Sequence, residues 1–194
     1  LGKITGLGDV AVNLSDPTTT ATALINLEAT TEGAIDASSV TAITGAIADI
    51  NAVYASSAIT GLDNSSLILS DTSTTAGTLI SLNAKTNGTI NASSVSTIKG
   101  SIDDIHTVYE SSGITGLDDS SVTLSDPTAI AGTLINLEAS TGGTIDASSV
   151  STIKGSIDDI NTVYASSVIT GLADTSVTLS DTTTTAGTLI NLEA

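Results

Sequence analysis

The 194-residue chain has no cysteine, methionine, tryptophan, phenylalanine or arginine, only two prolines, and three tyrosines as its sole aromatics. Without cysteine there is no disulfide framework, thiolate metal site or cysteine nucleophile, and the redox compartment is left open. Without bulky aromatics a core has to be built from Ile, Leu, Val and Ala, which suits a thin, layered core. Basic charge is scarce as well. Four Lys against twenty-one Asp and Glu leave a net charge of −17, which repels phosphate backbones and anionic lipid and argues against nucleic-acid and membrane-surface partners. No apolar stretch approaches the roughly 18 residues that a spanning helix needs, so no membrane insertion is expected. The apolar share of 40% and positive mean hydropathy do not match the low hydrophobicity of disordered chains. The chain should fold.

What the chain does have is an internal repeat. Ile-Thr-Gly-Leu begins at Ile4, Ile59, Ile114 and Ile169, an unbroken period of 55 residues. Tyr54, Tyr109 and Tyr164 keep the same step, as do the Ser-Asp pairs ending at Asp16, Asp71, Asp126 and Asp181. The run from Ser93 to Ile105 recurs letter for letter from Ser148 to Ile160. Residues 1–194 therefore read as one continuous array segment without separate domains, with units starting near residues 4, 59, 114 and 169. The chain opens and closes inside a unit and reads as a slice of a longer array or a repetitive fibre segment.

Each 55-residue unit divides into two smaller coils. In one, Val150, Ile153, Ile157, Ile160 and Tyr164 recur at steps of three and four, the pattern of an amphipathic helix. Ser148 and Ser149 stand at its expected N-cap, and Thr144 to Ala147 reads as a preceding strand. In the other, Val177-Thr178-Leu179 alternates like a half-buried strand, Asp181 is the candidate N-cap, and Ala186, Leu189, Ile190 and Leu192 can share a helical face. Pro17 and Pro127 follow the equivalent Asp in two copies, as suits a first helical position. Gly33, Gly88 and Gly143 come where a left-handed C-terminal cap is expected. The threonine run at 182–185 weakens this second helix, because β-branched residues lose χ1 freedom there.

Superposing the coils aligns Val12 with Ile35 and Leu67 with Ile90, giving alternating steps of 23 and 32 residues. The expected fold class is α/β: a right-handed solenoid of seven stacked strand–helix coils, with a parallel sheet on one side and helices on the other. At about 4.8 Å per strand the segment would be roughly 35 Å long. Ile-Thr-Gly-Leu is placed in the longer coil's return loop, its apolar residues covering the seam and its glycine turning the chain.

Catalytic chemistry finds little to work with. His106 is the one histidine, and Asn51 and Asn161 take its place in the other units, so a surface substitution explains it better than a triad or metal site. The pairs Asp103/Asp104 and Asp158/Asp159 point about 100° apart on a helix and do not converge on one atom. Asp16, Asp71, Asp126 and Asp181 are the calcium candidates, although capping and the helix dipole already account for a carboxylate at a helix start. Neither the nonapeptide calcium roll nor the EF-hand loop is present, and no glycine set completes a phosphate-binding fingerprint. Asn13, Asn64 and Asn91 begin N-x-S sequons, which arise often by chance in a Ser/Thr-rich chain. Ice binding needs a ladder of equivalent hydroxyls, whereas the outward column Asn13, Asp36, Ile68, Asn91, Thr123, Asp146, Thr178 is mixed. Carbohydrate platforms favour exposed aromatics, and Tyr164 instead shares the apolar arc of Ile157 and Ile160.

The combination of Ile35–Val40 (I-D-A-S-S-V), Asp159–Ser167 (D-I-N-T-V-Y-A-S-S), Ile-Thr-Gly-Leu and Val122–Asp126 (V-T-L-S-D) resembles repeats of very long, Ala/Thr/Asp/Gly-rich secreted surface proteins of cyanobacteria and other bacteria. The resemblance covers the whole chain. It implies an extracellular or cell-surface location and, in some such proteins, calcium-binding modules elsewhere. Together these readings point to a non-enzymatic structural repeat of a filament, surface layer or adhesin stalk, without cofactor, whose partners are copies of itself or adjoining repeats, head-to-tail. A calcium-dependent or polysaccharide-binding adhesion module is the alternative.

Overall fold

The computed structural model describes residues 8–183. The first repeat runs β1 (Val12–Asn13), β2 (Thr18–Thr20), α1 (Ala21–Glu28), β3 (Ile35–Asp36), β4 (Ala42–Gly45), α2 (Ile47–Ala55) and β5 (Ile59–Thr60). The second repeats this order as β6 (Ser66–Leu69), β7 (Ser73–Thr75), α3 (Ala76–Asn83), β8 (Ile90–Asn91), β9 (Thr97–Gly100), α4 (Ile102–Glu110) and β10 (Ile114–Thr115). The third is β11 (Ser121–Leu124), β12 (Thr128–Ile130), α5 (Ala131–Ser140), β13 (Ile145–Asp146), β14 (Thr152–Gly155), α6 (Ile157–Ala165) and β15 (Ile169–Thr170). With β16 (Ser176–Leu179) a fourth begins. The fold is α/β, and all the strand pairs are parallel.

The chain forms two compact units. One holds the sheets β1-β3-β5 and β2-β4-β6-β8-β10; the other holds β7-β9-β11-β13-β15 and β12-β14-β16. Each five-stranded sheet therefore combines two strands of one repeat with three of the next.

The register Val12↔Ile35, Leu67↔Ile90 and Val122↔Ile145 is the one expected from superposing the coils. The step of 32 is not found. Ile35 pairs with Ile59, so the steps are 23 and 24 residues, and eight more from Ile59 to Leu67 complete the period. The cause is that Ile-Thr of Ile-Thr-Gly-Leu is a strand rather than part of a return loop. Gly61, Gly116 and Gly171, at φ of 87°, 82° and 84°, then turn the chain as expected. A side chain there would be strained and would also meet the backbone of Ser38, Ser93 or Ser148. The supposed outward column of seven is likewise divided among the four sheets, although Asn13–Asp36, Ile68–Asn91 and Thr123–Asp146 are true neighbours.

The helix around Ile157 starts later than its periodicity suggests. Residues 148–149 form a turn, Thr152–Gly155 is a strand, and the helix begins at Ile157. Ser156 is its cap, accepting from Asp159 N–H at 3.1 Å, whereas Ser148 N–H donates to Asp146 in an Asx turn. Ile153 and Ile157 are both buried, but one faces inward from a strand and the other from a helix. A spacing of three or four cannot separate these. The expected burial of Ile98, Ile102, Ile105, Ile153, Ile157 and Ile160 is observed.

The equivalent segments Thr18–Thr20 and Ser73–Thr75 are strands, in keeping with their β-branched side chains, and α1 follows β2 only at Ala21, with Thr20 Oγ1 accepting from Ala23 N–H at 3.1 Å; the run at 182–185 extends beyond the described residues. Pro17 and Pro127 accordingly lie outside the helices. Their carbonyls accept from the backbone N–H of Thr41 and Ser151, one coil on. Gly33, Gly88 and Gly143 are not left-handed caps; a Cβ on them would run into the carbonyls of Val10, Ser65 and Ser120. The candidate helix through Ala186, Leu189, Ile190 and Leu192 lies outside the described residues.

In the first unit α1 and α2 pack on each other and on β4, whose Ile43 is completely buried. In the second, α5 and α6 pack likewise on β14 and Ile153. The apolar seam between strands and helices is the core.

Candidate functional site

Three of the aspartates proposed as calcium candidates serve helix starts, and Asp71 and Asp126 do so for helices other than those that follow them. Asp71 Oδ2 accepts from Ile47 N–H at 2.7 Å, Asp126 Oδ2 from Ile102 N–H at 2.8 Å and Asp181 Oδ2 from Ile157 N–H at 2.7 Å. Each carboxylate thus reaches back 24 residues to the first turn of the preceding coil's helix. Because β7 and β12 separate Asp71 and Asp126 from their own next helices, capping those helices is out of reach. Asp16 is the equivalent residue of the first repeat and is exposed. Among the described residues no group of three or more His, Asp and Glu could hold a metal ion.

A second recurrent contact had no place in the sequence reading. Thr31, Thr86 and Thr141 are buried polar residues. Their hydroxyls donate to the carbonyls of Val10 (2.7 Å), Ser65 (2.7 Å) and Ser120 (2.6 Å). They also accept from Gly33, Gly88 and Gly143 N–H at 2.9–3.0 Å. The available signal is Thr-x-Gly at the 55-residue step, where the glycine also fits the expected helix cap. Between helices, Ser56 Oγ donates to Glu28 (2.5 Å) and Ser166 Oγ to Glu138 (2.7 Å).

The tyrosines lie at the rim rather than in the core. Tyr164 is 41% exposed and Tyr54 and Tyr109 are half-buried, because the inward helical positions are already filled by Ile50 and Val53, Ile105 and Val108, and Ile160 and Val163. Tyr54 donates to Leu62 C=O (3.1 Å), Tyr109 to Leu117 and Ser120 C=O (3.4 and 3.3 Å), and Tyr164 shares a hydrogen bond with Thr175. Burial pushes the Tyr54 and Tyr109 phenols up. The Ser38 N–H and hydroxyl hold the Asp36 carboxyl below its usual range.

His106 is 31% exposed in its side chain, with Nδ1 4.0 Å from Glu110, its neighbour at i+4 on α4. That nitrogen is enclosed and has no hydrogen-bond partner among the described residues. A cleft of 280 Å³ between the end of α2 and Ile59–Asp63 contains the Tyr54 side chain and one carboxylate, Asp63. A smaller one of 170 Å³ lies beside Asp103 and Asp126. Among the described residues no helix is long and apolar enough to cross a membrane. What the recurrent polar groups can do chemically is accept or donate hydrogen bonds to the adjacent coil. No protein-family model, curated protein or solved structure matches this chain.

Proposed function

We propose that this chain is a non-enzymatic structural repeat of an extracellular filament, surface layer or adhesin stalk: a solenoid of stacked strand–helix coils that acts by length, stiffness and acidic surface and assembles along its axis. The observation that carries this reading is the destination of the recurring polar side chains. Asp71, Asp126 and Asp181 are each committed to the coil before them, at the same 55-residue interval. Side chains retained at every repeat to join one coil to the next are what an array needs and what a binding pocket does not. The split of each repeat between two sheets supports the same reading, since a lone repeat would leave both sheets unfinished. The surface location rests on the resemblance described above. Negative-stain imaging of the purified chain, with and without calcium, tests the function: filaments or a lattice are expected, and isolated particles in both conditions would contradict it.

A further inference from the structure

Asn87 is the only asparagine in the chain that a glycine follows; the equivalent pairs in the first and third repeats are Glu32-Gly33 and Gly142-Gly143. Asparagine before glycine is the pairing most prone to deamidation, because a residue without Cβ leaves its amide nitrogen open to the neighbouring carboxamide. Asn87 is exposed in the bend between α3 and β8, yet the atoms that would react are all held. Gly88 N–H donates to Thr86 Oγ1 at 2.9 Å, and the buried Thr86 hydroxyl is itself anchored on Ser65 C=O at 2.7 Å. Asn87 N–H donates to Asp63 C=O at 2.7 Å, and its Nδ2 to Asn64 Oδ1 at 3.2 Å. Gly88 lies so close to the chain ahead of β6 that a Cβ on it would be 2.4 Å from the Ser65 carbonyl oxygen.

We propose that Asn87 is a site of spontaneous deamidation which the bond from Gly88 to Thr86 holds in check. When the segment opens, hydroxide takes the Gly88 N–H proton and the nitrogen attacks Asn87 Cγ. The Cγ–Nδ2 bond breaks, and Nδ2 takes a proton from water and leaves as ammonia. Water then opens the five-membered imide at either of its carbonyls, leaving an aspartate or an isoaspartate at position 87. The net change is one water consumed and one ammonia released, with no oxidant or reductant. The product does not return to the original seat. Its carboxylate replaces the Nδ2 donor that met Asn64 Oδ1. The isoaspartate also lengthens the main chain by one carbon next to Gly88, where there is no space for even a Cβ, so Gly88 N–H is drawn off Thr86. Glu32 and Gly142 offer no carboxamide, which confines the reaction at this loop to the second repeat.

The unsubstituted chain, aged at mildly alkaline pH in buffer and in urea, tests this through the tryptic peptide 86–99, which cleavage at Lys85 and Lys99 releases. Mass spectrometry with fragmentation assigns the conversion to Asn87. Conversion is expected in urea and at least about tenfold more slowly in buffer, since only the opened segment reacts. No conversion in urea would overturn the site, and equal rates would overturn the hold. Thr86→Val keeps the shape of the buried side chain but frees Gly88 N–H, and should speed conversion in buffer toward the urea rate. Thr141→Val removes the equivalent hydroxyl in the third repeat and should leave Asn87 slow. No acceleration by Thr86→Val, or equal acceleration by both, would overturn the role of Thr86. In the isoaspartate fraction, separated by ion exchange, hydrogen exchange should be faster at the Gly88 amide and unchanged at that of Gly143. Unchanged exchange at Gly88 would overturn its release from Thr86.

Discussion

Val122 and Val177 are the same residue at the same place in consecutive repeats, yet Val122 is 1% exposed and Val177 is only partly buried. Both strands have a neighbour of the β9 and β14 type; β11 also has β13, and β16 has nothing on that side among the described residues. The difference teaches that burial here belongs to the stack and not to the strand. The valine is fully buried where a parallel strand lies on both sides of its own strand, as for β11 between β9 and β13.

The sharpest way to break that contrast is truncation of the two valines. Val122→Ala should cost about 2–3 kcal/mol through lost transfer and residual cavity, while Val177→Ala should cost less than about 1 kcal/mol at its half-exposed edge. Equal shifts of the urea midpoint would contradict the assignment of burial to stacking.

A smaller effect is expected at the coil-to-coil caps. Asp126→Ala leaves Ile102 N–H without its acceptor and should cost about 1 kcal/mol, as loss of an N-cap does. Asp16→Ala, at the exposed equivalent in the first repeat, should stay within about 0.5 kcal/mol. Thermal denaturation of the two variants side by side makes the comparison.

Next comes alkaline pH. The Tyr54 and Tyr109 phenols are raised above the ordinary 10.0 by burial, so their contribution is intact below that value and is lost as pH rises through the higher folded value. In a Tyr164→Phe background, phenolate absorbance should appear above the pH of an unfolded control, together with falling stability. Coincident titrations would show that burial of Tyr54 and Tyr109 contributes nothing to stability. Least of all should happen in His106→Asn, since Asn51 and Asn161 fill the same place; a stability change beyond about 0.5 kcal/mol would show that the histidine has a role of its own.

Legibility in the sequence followed the range of the interaction. The period, the pairing of Val12 with Ile35 and of Leu67 with Ile90, and the buried isoleucines all follow from spacing and hydrophobicity, and the structure has them. The start of α6 was obscured because Ile153 in a strand and Ile157 in a helix are both inward and four residues apart. The aspartates were legible as caps but assigned to the wrong helix, because local sequence offers the following helix and only the strand ladder brings Ile102 to Asp126 across 24 residues. Thr31, Thr86 and Thr141 were missed for the same reason: their acceptors lie a coil away.

Sedimentation velocity of the 194-residue chain over a wide concentration range, at low and raised ionic strength, tests most directly that stacking continues from one copy to the next. A weight-average sedimentation coefficient that climbs with concentration, and climbs further as salt screens the −17 charge, is expected. A single species with the mass of one chain under every condition would contradict it.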